Sequence, residues 1–347
     1  MSTIALRSHA AAESPGLWTL AARRFRRDRV GLVSFVIVAL FVLLALASAT
    51  GLVAADWGRE IALSYAPPSF MDAPRATSSP AAAPDASAPA VAEEPAIADP
   101  LDPELTELST QLGVAAGAGA RAASLPMGGD KWGRDVLKKT IKGTETSLLV
   151  GLAAAFLAAF LGTVFGAYAG YVGGRVDDFF NWLYSVLTAI PYLLLILAVA
   201  AVLNQKGVTT VILILGLTGW TGILRLVRAE YLKHKVREYV QAADAIGASH
   251  RRRMFVHILP NVSHVVLVQL SLHVVLFIKS EVILSFLGFG VGVDTVSWGS
   301  MLNEAQSELL TGHWWQLAAA TAAMAVLITA FSLYTDALRD ALDPRLK

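Results

Sequence analysis

Cysteine is absent from the 347-residue chain, which excludes disulfides, thiolate metal sites and thiol catalysis while leaving the redox compartment open. Charge is scarce: Asp, Glu, Lys and Arg make up 16% of residues, against about 25% in a typical soluble domain. The formal net charge of +1 gives no electrostatic footing for nucleic acid. No HExxH, GxSxG or Walker motif occurs, so the chain has no carrier for zinc-protease, serine-hydrolase or ATPase chemistry. What fills the space is apolar. Hydrophobic residues make up 55% of the chain, much of it in long runs, as expected for a polytopic membrane protein.

At about 20 apolar residues per span, six transmembrane helices are expected, at 31–54, 145–171, 179–203, 208–227, 262–290 and 316–338. The first follows "RRFRRDR" (Arg23 to Arg29); its apolar run is too long for a signal peptide, so it reads as an uncleaved span. With the N-terminus inside, 18 of the 28 lysines and arginines fall on the cytoplasmic side, eight of them in the loop after the fourth span. The expected orientation is therefore N-in and C-in.

The segment 55–144 is the one large piece on the far side. Nine of the 14 prolines lie between Pro67 and Pro103, interleaved with alanine. Such a stretch buries too little apolar surface to offset its ordering entropy, so 66–124 is expected to be a disordered insert, a tether or a partner-docking segment. Order resumes at "LPMGGDKWGRDVLKKTIKGTETSL" (Leu125 to Leu148), where glycines and an aspartate predict a tight turn and then an amphipathic helix. That helix reads either as an interfacial lead-in or as a lip over a pathway mouth. In the second span Gly162, Gly166, Gly170 and Gly174 recur every four residues, a smooth stripe suited to close helix packing. Pro191 predicts a kink in the third span.

Ionisable residues inside a bilayer are functional candidates by default. His264 and His273 are roughly 13 Å apart along a helix, too far to share an ion, and a structural hydrogen bond across the bundle is expected for His273. Asp177 and Asp178 read as a solvated loop. Lys279 and Glu281 sit deep in the fifth span, and at a separation of two they point to different sides. They are candidates for a translocation pathway or a subunit interface; buried structural pairing is the other reading.

Between two apolar runs lies "EYVQAADAIGASHRRRMFVHILPN" (Glu238 to Asn261). A helix ending at Gly247, a cap at Ser249 and a second helix stopping before Pro260 would form a polar elbow on the cytoplasmic surface. Its alternative is an amphipathic helix lying on anionic lipid. The spacing Ala242-Ala243-x-x-x-Gly247, followed by Leu259-Pro260, resembles the EAA loop of ABC importer permeases, with Gln241 at the glutamate position. "GRDVL" (133–137), "GAYAGYVGGRVDD" (166–178), "HILPN" (257–261), "LSFLGFG" (284–290), "WGSML" (298–302) and "DALRDALDPRLK" (336–347) resemble the dipeptide/oligopeptide/nickel permease family, specifically its second permease subunit. The chain departs from that pattern in lacking prolines before its Trp-Gly and in the length of its Ala/Pro insert.

The resemblance implies an all-α permease of six helices in the bacterial inner membrane, with a cytoplasmic coupling helix. It implies a heterodimer with a homologous permease subunit, two ABC ATPase subunits, an extracytoplasmic solute-binding protein and a surrounding lipid bilayer. ATP and magnesium would sit on the ATPases, and this chain would bind no cofactor or metal and catalyse no reaction. Glu238, Ala242, Ala243, Gly247, Arg251, Leu259 and Pro260 are the residues it assigns to ATPase coupling. The expected organisation is a tail at 1–30, a first span at 31–54, the extracytoplasmic loop 55–144, a permease core at 145–340 with its coupling loop at 228–261, and a tail at 341–347. An ion-gradient-driven secondary transporter, the alternative, needs paired charges and an internal repeat; one Lys/Glu locus is present and no clear repeat.

Overall fold

The computed structural model describes residues 17–71, 121–292 and 294–342. Most of the Ala/Pro tract, 72–120, and both terminal tips lie outside these residues. Two compact units are formed, Met1–Ala55 with Lys138–Lys347, and Asp56–Leu137.

The larger unit is helical. It comprises α1 (Leu17–Phe25), α2 (Arg29–Ala49), α3 (Val136–Val172, whose first two residues belong to the smaller unit), α4 (Gly174–Thr188), α5 (Tyr192–Leu203), α6 (Val208–Thr218), α7 (Thr221–Lys235), α8 (Glu238–Ala245), α9 (His250–Arg252), a π-helical turn (Arg253–Ile258), α10 (Leu259–Phe286), α11 (Trp298–Leu310) and α12 (Trp315–Leu342). Among the described residues, five stretches are long and apolar enough to cross a bilayer: α2, α3, Val208–Lys235, His250–Phe286 and α12. The expected third span is not a straight helix. α4 and α5 are bent by 87° at Pro191, and a count of six holds only if that pair is one broken span. Proline lacks an N–H and its ring clashes with the preceding turn, and here the outcome is a break rather than the predicted kink.

Glycine spacing positions α3. A Cβ on Gly162 would lie 2.8 Å from the Trp220 carbonyl oxygen, one on Gly166 2.8 Å from that of Leu224, and one on Gly170 2.7 Å from that of Arg228. The three glycines let α3 lie directly on α7, where any side chain would hold the backbones apart. Gly174 does not share this role: its φ is +55° and nothing lies within 4 Å of its Cβ position. It starts α4 instead, and the chain reverses there. Asp177, expected in a solvated loop, lies in α4, where its carboxylate takes both Nε and Nη2 of Arg228 on α7, the latter at 2.6 Å. Such a bidentate ion pair clamps the two helices.

The elbow's second helix does not stop at Pro260. It runs on from His250 to Phe286 as one stretch of 37 residues. The π turn is what admits the proline: Leu259 N–H reaches back to the Met254 carbonyl, five residues away, and Asn261 Nδ2 donates to the His257 carbonyl at 2.8 Å. Ala21 of α1 packs with Ala341 and Leu342 of α12, and Val268, midway along the His250–Phe286 stretch, covers them.

Helix α11 lies between the fifth and sixth expected spans, where no element was predicted. A reciprocal cap between Ser297 and Ser300 starts it. Trp298 anchors it, fully buried, with Nε1 donating to the Thr140 carbonyl at 3.1 Å.

In the smaller unit, bridges pair Ala62 with Ala122, Pro68 with Leu125 and Gly129 with Asp135. Both ends of the predicted tract, 66–71 and 121–124, therefore join a folded piece. The predicted turn is built on buried Asp130, whose Oδ1 accepts from the Trp132 and Arg134 amides, both at 2.9 Å. Gly133 has φ +74°, and a Cβ there would lie 2.1 Å from the Ala62 carbonyl oxygen, so no other residue fits.

Candidate functional site

The elbow is built from short-range signals. Arg237 is extended and starts α8, and Glu238 is acidic in the first turn, where the helix dipole favours it. Gly247 then adopts φ +80° with open space about its Cβ position, and the chain turns. Ser249 caps the second helix, accepting from the Arg252 amide at 3.4 Å.

The two adjacent alanines divide the work. Ala243 is buried with Val240 against the unit, whereas Ala242 faces outward. With Tyr239 and Ile246 it forms an exposed apolar face at helical spacing, and Ile246 is 84% exposed. Ile246 and Tyr239 were not among the expected coupling residues; an isoleucine directly before the turning glycine was the available signal. The elbow is pinned from behind. Asp244 pairs with Arg253 Nη1 at 2.5 Å, and Tyr231 donates to the Met254 carbonyl at 3.1 Å. Tyr239 shares a 2.8 Å hydrogen bond with His234 Nδ1, and partial burial raises its phenol above the ordinary value, keeping it neutral. Glu238 and Arg251 are exposed. Leu259, half-buried, and Pro260, exposed, lie beyond the π turn, not at the tip.

Lys279 and Glu281 are not brought together. Glu281 is fully buried, accepting from Ser147 Oγ at 2.8 Å and Ser285 Oγ at 2.7 Å. Ser147 in turn accepts from the Trp298 amide at 3.3 Å, so the carboxylate ties α3, α10 and α11 together. Glu281 is thus enclosed between helices of this chain, on a different side of α10 from Lys279. Lys279 lies on the outward face of α10, in line with Leu272, Leu276, Ile283 and Phe286, and has no ion-pair partner among the described residues. A second enclosed charge escaped sequence reasoning: Lys139, 1% exposed, donates to Glu304 at 2.5 Å and Gln316 at 3.2 Å. His273 bonds the Gln269 carbonyl of its own helix at 2.7 Å.

Residues 162–347 match the family described as binding-protein-dependent transport system inner membrane component. Residues 16–68 match the N-terminal TM domain of oligopeptide transport permease C. The chain is 39% identical over 230 residues to the dipeptide transport system permease protein DppC of Bacillus subtilis, covering 65% of this chain and 72% of that one. It is 37% identical over 220 residues to the oligopeptide transport system permease protein OppC of the same organism, covering 63% and 72%. To the di/tripeptide transport system permease protein DppC of Pseudomonas aeruginosa it is 35% identical over 221 residues, covering 64% and 72%.

Proposed function

The chain belongs to the family of binding-protein-dependent transport inner-membrane components, and on that basis we propose that it is one of two permease subunits of an ATP-driven importer of short peptides. It is an inner-membrane transport protein and not an enzyme. In this reading the N-terminal end, the elbow and the C-terminal end face the cytoplasm. A homologous permease completes the translocation pathway, and a solute-binding protein delivers peptide on the far side. Two ATPase subunits hold the ATP and magnesium; this chain holds neither.

The observation that carries the coupling role is the elbow tip. Tyr239, Ala242 and Ile246 form an exposed apolar face on a short helix fixed from behind by Asp244–Arg253. A short helix with such a face suits a groove in a soluble partner. Nucleotide-driven closure of the ATPases would then move the elbow as a rigid body and shift the permease between two access states. Lys279, a lone cation on an outward stripe of α10, is the residue we assign to the pathway, where it would meet a peptide carboxylate.

Co-expression of the tagged chain with its ATPase subunits tests this. Wild-type chain should retain the ATPases through purification, and Ile246→Asp should lose them while remaining correctly inserted. Equal recovery of ATPase with both chains, together with equal peptide uptake, would remove the elbow from the coupling mechanism.

A further inference from the structure

Behind the elbow lies a cavity of about 590 Å³, within the range of small-molecule sites. Its walls come from five elements: Tyr171 at the end of α3, Lys235 at the end of α7, Asp244 of α8, His250 and Arg251 of α9, and Arg253 of the π turn. Three cations face one carboxylate. That carboxylate, Asp244, is already engaged by Arg253 Nη1. Donors are left over. Lys235 lies over the Tyr171 ring, 5.7 Å from its centroid, with no carboxylate on its ammonium among the described residues. Arg251 is exposed and has no ion pair among them. Arg253 Nε is buried without a hydrogen-bond partner there, although its Nη2 lies 3.1 Å from His250 Nδ1. Tyr171 Oη stands 3.2 Å from that same His250 nitrogen, so the imidazole is already held on that side.

We infer that this cavity is an anion site that binds a phosphate group, with Lys235 and Arg251 as its principal donors and Arg253 Nε at its floor. Guanidinium groups present a planar fork to phosphate oxygens, and an ammonium adds a point charge. Tyr171 gives an aromatic flank to whatever the phosphate carries. The phosphate would come either from a soluble organic phosphate or from the headgroup of an anionic lipid. Binding here stands apart from the transport reading. Its consequence rests on that reading, because α8 is one wall: an occupant bridging Lys235, Arg251 and Arg253 would restrain the coupling helix and alter the ATPase rate.

The test is hydrogen–deuterium exchange on the whole transporter in nanodiscs, read at peptides covering 235–254. In discs of phosphatidylcholine alone, millimolar pyrophosphate should slow exchange in α8 and α9 several-fold. Protection without pyrophosphate in discs containing phosphatidylglycerol identifies the lipid headgroup as the source. The Lys235→Gln/Arg251→Gln variant changes two exposed side chains, so folding should be intact, as checked by its elution profile. It should raise the half-saturating pyrophosphate concentration at least tenfold. No protection from either source, or equal protection in the variant, overturns the site. Because exchange reports binding locally, it gives its answer even if Ile246→Asp leaves ATPase recovery unchanged.

Discussion

Where α3 begins, Lys139 and Glu281 are enclosed, and each meets two side-chain partners from other turns or helices. At the elbow, Lys235 and Arg251 are exposed without an ion pair among the described residues, and Ile246 is almost wholly exposed. A buried polar group is tolerated only when it is hydrogen-bonded, and a buried charge such as Lys139 only when it is also paired, so the first group fixes the register of α3, α10, α11 and α12. An exposed apolar and cationic surface adds nothing to that register and is free to meet something else. The first group is held by its own helices; the second leaves an apolar and cationic surface exposed.

Substitutions at four positions break or sharpen this contrast, and their effect on stability falls from the clasped helices to the elbow. Gly166→Leu drives a side chain into the Leu224 carbonyl and should cost more than about 3 kcal/mol, beyond ordinary overpacking, because the neighbour is backbone. Fluorescence-detected size-exclusion should show aggregated chain. Glu281→Ala strands two buried serine hydroxyls and should cost about 1–3 kcal/mol. Glu281→Gln keeps an acceptor and should lie closer to wild type in a thermal-unfolding comparison; if both variants are silent, the cluster does not hold the helices. Gly247→Val forces a β-branched residue to φ +80° and should cost about 1–2 kcal/mol locally. Its midpoint should drop only slightly while peptide uptake collapses. Ile246→Cys should leave stability within about 0.5 kcal/mol of wild type. The chain has no native cysteine, so this residue is the sole thiol. A membrane-impermeant maleimide should label it in inverted vesicles and not in intact cells, and the reverse pattern would invert the orientation.

Regularity decided what could be read from sequence. Gly162, Gly166 and Gly170 were legible because a spacing of four defines a helix face without knowledge of the partner. Gly174 extends the spacing, yet it stands after the helix has ended, and the arithmetic does not see that. Gly247 was legible because a glycine after a strong helix former turns the chain. Pro260 misled because the wide π turn that admits it depends on the Leu259 amide and the Asn261 side chain donating to the Met254 and His257 carbonyls. That Lys279 and Glu281 need separate surroundings followed from their separation. Which of them is buried did not, since Ser147 lies 134 residues away in the chain. The helix α11 was missed because its 13 residues are too few for a span and its start rests on two serines.

The unbroken stretch from His250 to Phe286 has a mechanical corollary. At 1.5 Å per residue its 37 residues make an arm about 55 Å long. The elbow sits at one tip and the Glu281 clasp near the other, so a tilt of a few degrees at the tip becomes a swing of several ångströms at the clasp. In the proposed coupling, transmission along this arm needs no relay of side chains, only stiffness, and the place to weaken it is the wide turn at Arg253–Ile258.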